Sequence, residues 1–130
     1  MTKSRLDLKG FDEYLAKVAR AGVDIDPVCD EALSAGGAIL LDGMKRRVPK
    51  DTHNLENHLT CTDPVQDGTV HYVEVGISQD ADANTARYGN VQEFGSAHTP
   101  AQPYVRPTFD QDLGKARAAM RKVFEEKKLI

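Results

Sequence analysis

The chain has no tryptophan, two cysteines among 130 residues and aromatics at 6%. Without tryptophan it lacks one common anchor of binding sites. Cys29 and Cys61 lie far apart, in segments that read as a helix and a strand, which argues against a disulfide framework or a zinc-type cysteine pair. Both are expected as buried thiols. No window holds the roughly 18 consecutive apolar residues of a membrane span, and Met1 to Gly10 has neither the apolar core nor the cleavage site of a secretion signal. A protein made and kept in the cytoplasm, with no membrane partner, is expected.

Basic charge is missing from the middle. Residues 51–100 carry one such residue, Arg87, against eight acids, whereas residues 1–50 hold nine Lys/Arg against eight Asp/Glu and residues 101–130 hold seven against four. An acidic middle with basic ends argues against a broad DNA-gripping face and suits a protein that meets copies of itself.

Catalytic motifs are also missing. "SAGGAIL" lies within a helical pattern and has no P-loop lysine, no G-x-S-x-G turn is present, and no cysteine motif accompanies Cys61. His53 and His58 are five apart, about 140° around a helix, so they do not copy a metalloprotease pair. Asp51, His53 and His58 still leave a small metal-dependent hydrolase or nuclease as an alternative from another class.

What is present is one core's worth of chain, read as a single domain over residues 1–130. Leu8, Phe11, Leu15 and Val18 mark a first helix ending at Gly22. The second starts with Asp26 as N-cap and Pro27 in its first turn and stops before Pro49. Gly36, Gly37 and Gly43 inside it suggest close approach to a sheet or, alternatively, a break near Gly36. Asp51 and Thr52 can cap a short helical turn. Two strands joined at Asp67 and Gly68 follow, with His71, Val73, Val75 and Ile77 on one face. Residues 78–86 read as an exposed loop, and Tyr88, Val91 and Phe94 as a short helical turn closed by Gly95. From Thr108, the positions of Phe109, Leu113, Ala116, Met120 and Phe124 predict an amphipathic helix whose outer face is mostly basic between Lys115 and Lys128.

Between these elements lies "GNVQEFGSAHTPAQPYVRPTFD", with prolines at 100, 103 and 107 among aromatics. Proline fixes φ and removes a donor, so residues 100–107 are expected as an edge or an extended arm, which loses little entropy on docking. Phe94 and Tyr104 either pack inside the monomer, with Glu93 and Arg106 pairing nearby, or make a subunit contact.

This stretch, together with "VPKDTHNLENHL" at residues 48–59, resembles the tail-component family of long-tailed bacteriophages. The likeness rests on Pro49, Asp51, Thr52 and Leu55, then on Glu93, Phe94, Gly95, Ala101, Gln102, Pro103, Arg106 and Pro107, with Tyr104 at the family's phenylalanine. His53 and Glu56 depart from the pattern where it has glycine and arginine. With the two preceding helices the likeness covers nearly the whole chain.

The resemblance implies an α+β, tail-terminator-like fold, with a small antiparallel sheet, two N-terminal helices and a C-terminal helix. It further implies a non-catalytic neck or tail-completion protein in the virion, without cofactor, forming a homo-oligomeric ring, hexamer or dodecamer, that joins head to tail. Its partners would be head-completion or adaptor proteins and tail proteins, with DNA only as passing cargo. The alternative within this class is a tail terminator capping the tube. Negative charge at residues 78–86 or Asp67, if it lined the channel, would repel DNA phosphates.

Overall fold

Val48 cannot continue a helix, because the ring of Pro49 disfavours the helical conformation in the residue before it; its ψ is 143°. That stop fixes one end of α2 (Ile25–Arg47), and Asp24 fixes the other by accepting a hydrogen bond from the Asp26 amide. The cap is thus two residues earlier than Asp26. The computed structural model describes residues 3–50, 54–68 and 70–126. Asp51, Thr52, His53 and Lys128 lie outside the described residues.

α2 is continuous through its three glycines, and each faces a different neighbour. A Cβ at Gly37 would strike Cys61 Sγ of the sheet; one at Gly36 would meet Met120 at 2.7 Å and Leu6 at 2.9 Å; one at Gly43 would strike Asp112. Close approach to a sheet therefore explains Gly37. Gly36 and Gly43 owe their place to the C-terminal helix α5 (Val105–Glu126) at least as much. Three glycines cost about 1 kcal/mol each against alanine, and packing on two sides of α2 offsets that cost.

The other elements follow as β1 (Lys3–Asp7), α1 (Asp12–Arg20), α3 (Asn54–Asn57), β2 (Leu59–Cys61), β3 (Val65–Asp67), β4 (Val70–Ile77) and α4 (Ala83–Phe94). β1 was not expected from the sequence. β4 is central, antiparallel to β1 on one side and to β2 and β3 on the other. The fold is therefore α+β, with a small antiparallel sheet. Val73 and Val75 of β4, Leu33 and Leu40 of α2, and Ala116, Met120 and Phe124 of α5 form the middle of the core, all without solvent exposure. Cys29 is buried and Cys61 half-buried; burial pushes the Cys29 thiol up to about 11, and that of Cys61 upwards too, which keeps both protonated and unreactive at neutral pH.

Across the α2–α5 seam, Arg47 donates to both oxygens of Asp112 (2.7 and 3.4 Å) and to Thr108, while Arg46 reaches Asp112 Oδ2 at 3.1 Å. Hydrogen bonding from Arg47 holds the nearly enclosed Asp112 carboxyl below its usual range. A carboxylate with a depressed folded value stabilises the fold above the ordinary carboxylate range, and that contribution disappears as pH falls through it. Asp112→Asn is expected to lose about 2–3 kcal/mol at pH 7. The gap between its urea midpoint and that of the wild type should narrow as pH falls from 7 through the ordinary carboxylate range towards the depressed folded value; a gap that does not narrow would contradict this role.

Candidate functional site

The buried side of α4 is not apolar. Its buried positions are Thr85, Gly89, Gln92 and Glu93, a helical stripe made of small and polar residues. Tyr88 and Phe94 are 39% and 74% exposed, so of the two residues read as either core or contact, Phe94 and Tyr104, Phe94 does not pack inside the monomer. The helix is also longer than expected: Asp82 caps it by accepting from the Thr85 amide and hydroxyl, so only residues 78–82 of the expected loop precede it. Those bonds draw the Asp82 carboxyl below its usual range, whereas Asp80 stays exposed on the loop.

Glu93 is buried because it serves the next helix. Its Oε1 accepts from the amides of Tyr104 (2.9 Å) and Val105 (2.8 Å), and Oε2 accepts from the Arg106 amide at 3.1 Å. The opening amides of α5 would otherwise lack partners. Pro107, the third residue of α5, has no amide to satisfy and its φ suits a first turn, so it begins the helix and does not extend the arm. The expected Glu93–Arg106 ion pair is replaced by this backbone bond, and the Arg106 guanidinium lies 4.0 Å from Asp110 in solvent.

Gly95 makes the corner possible. Its φ of +78° is a conformation that side chains rarely adopt, and a Cβ there would lie 3.0 Å from the Ala101 amide nitrogen. The chain then doubles back: the Gln102 amide donates to the Gln92 carbonyl at 2.7 Å, and Ser96 Oγ accepts from the His98 and Thr99 amides. Residues 96–99 thus form a turn, and residues 100–103 return along the end of α4 without regular structure. Ala101, Gln102 and Pro103 nonetheless turn their side chains to solvent.

Tyr104 is fully buried. Its hydroxyl donates to the Gly89 carbonyl at 3.2 Å, so the hydroxyl added at the family's phenylalanine position is satisfied. Leu55 is buried close by, within reach of a Cβ built at Gly89, and Asn54 donates to Thr85 at 2.9 Å, tying α3 to α4. The two family blocks therefore converge, although Pro49 is only half-buried and Asp51 and Thr52 are outside the described residues. His58 is half-buried with Nδ1 2.7 Å from the Asn54 carbonyl, while His53 is not described.

The motif splits by role. Glu93, Gly95, Tyr104, Pro107 and Leu55 build the corner, whereas Phe94, Gln102, Pro103 and Arg106 face outward from it. Beside them lies a groove of about 460 Å³ between the first half of β1 and the start of α5, lined by Lys3, Arg5, Phe94, Val105, Arg106 and Phe109. Its floor is apolar and its rim basic; Lys3 lies 3.5 Å from Glu74, and Arg5 stacks 3.8 Å over Tyr72. β1 was illegible in the sequence, and so was this groove.

The family model described as "Bacteriophage HK97-gp10, putative tail-component" matches residues 9–95, from just after β1 to the Glu93-Phe94-Gly95 corner. No curated protein and no solved structure matches the chain.

Proposed function

Since the chain belongs to the bacteriophage HK97-gp10 tail-component family, we propose that it is a neck or tail-completion protein of the virion, acting as one domain in a ring that joins the filled head to the tail. Membership carries the coarser role, a structural component of the phage tail. Assembly with a protein neighbour is supported by one observation above all: Phe94 is 74% exposed at the end of a helix whose polar side is buried. An aromatic held outward on a rigid corner contributes little to its own fold and is suited to a protein partner. In this reading the protein breaks no bond, its neighbours are virion proteins and copies of itself, and DNA only passes.

Phage lacking the chain should accumulate DNA-filled heads and separate tails of normal length in electron micrographs. Tails of uncontrolled length would instead identify a terminator of the tube, and normal joined particles would overturn the proposal.

A further inference from the structure

Among the described residues, four large hydrophobics are exposed: Val65 at 41%, Val70 at 45%, Tyr88 at 39% and Phe94 at 74%. Phe94 belongs to the groove and Tyr88 to the outward side of the same helix. Val65 and Val70 belong to a second place, where β3 pairs with the start of β4 and every residue of β3 is exposed. They share the outer face of the sheet, since Val65 pairs with Tyr72 and Asp67 with Val70.

The two places match in charge. Residues 62–70 contain Asp63 and Asp67 and no Lys or Arg, whereas Lys3, Arg5 and Arg106 stand around the groove. Glu93 also lines the groove, but its carboxylate is occupied by three amides at the positive end of α5. Each surface is apolar in the middle; the strand end carries only acids at its edge, and the groove carries three basic side chains, of which Lys3 faces Glu74 and Arg106 lies 4.0 Å from Asp110.

They are also fixed on opposite edges of β4 within one chain, β1 on one side and β3 on the other, so neither can turn to cover the other, even though Arg5 reaches over Tyr72, the neighbour of Val65. The groove borders Lys3, which pairs with Gly76, and the acidic end of the sheet is at Val70. Six residues of β4 separate these points, roughly 20 Å at strand rise. We infer that the Val65–Val70 end of one copy docks in the Phe94 groove of the next. The contact joins two different patches, so it repeats head to tail and closes a ring when the rotation allows. This rests on the ring reading above, and it differs from the expectation that the basic face of α5 would meet the acidic middle.

The test is oxidative cross-linking of the purified full chain, with Val65→Cys and Ser4→Cys, the latter in the groove and leaving Phe94 in place, made singly and together. The double variant should give a ladder of disulfide-linked oligomers on a non-reducing gel. An equimolar mixture of the two single variants should give a dimer that neither gives alone, which controls for Cys29 and Cys61. In the same background Arg106→Asp should lower the cross-linked yield at least about tenfold, and adding Asp67→Arg should restore much of it, because like charges across a contact are costly.

Sedimentation of the wild type separates the two ideas. Oligomers without the cross-link would overturn this contact and leave the ring standing on another one. Persistent monomers without the cross-link would overturn the contact as well, while the position in the virion is decided independently by the phage lacking the chain.

Discussion

Glu93→Ala should destabilise the protein by about 3–5 kcal/mol, because hydrogen bonds to a charged group are worth roughly 1.5–3 kcal/mol each and the amides left behind are buried or partly buried. Three such bonds end on this one carboxylate. They do not add in full, since Arg106 lies near solvent and water can replace its share. Glu93→Gln provides a graded comparison. Its single carbonyl oxygen can keep the two amides now held by Oε1 and loses the third, so the loss should be about 1–2 kcal/mol. Urea unfolding at pH 7 measures both. Equal losses would mean that the full carboxylate is required and that volume and one carbonyl oxygen rescue nothing; no loss from alanine would contradict the cap.

Phe94→Asp should produce the opposite pattern. A side chain already 74% exposed removes little apolar surface from water on folding, and surface changes away from special features usually stay within about 0.5 kcal/mol. The urea midpoint should hardly move. Assembly should fail, because aspartate places an unpaired charge where an aromatic would be desolvated, and loss of an interface anchor commonly costs 2 kcal/mol or more. Neighbouring changes at Glu93 and Phe94 would thus separate folding from assembly. A large drop in stability for Phe94→Asp would return this residue to the core, the other of the two readings the sequence left open.

Which side of α4 is buried was not legible in the sequence, for a definable reason. Tyr88, Val91 and Phe94 recur every three residues, and periodicity reads such a stripe as the buried side. In α4 the buried side is Thr85, Gly89, Gln92 and Glu93, whose value lies in close approach and hydrogen bonding that hydropathy does not register. Strand β1 escaped notice because KSRLD offers one buried apolar residue, Leu6, and its partner strand lies some seventy positions away. By contrast, α2 was legible from the Pro49 stop, and α5 from the spacing of Ala116, Met120 and Phe124, since local rules and tertiary packing agree there. The family motif drew attention to the stretch that holds the corner. It could not say which of its residues point inward, because identity and order in a motif carry no burial.

Head–tail joining in a phage that carries Phe94→Asp tests the central claim most directly. Counted in electron micrographs of lysates in which the variant accumulates as folded protein, DNA-filled heads and finished tails should lie apart. Joined, infectious particles at the wild-type frequency would contradict the account.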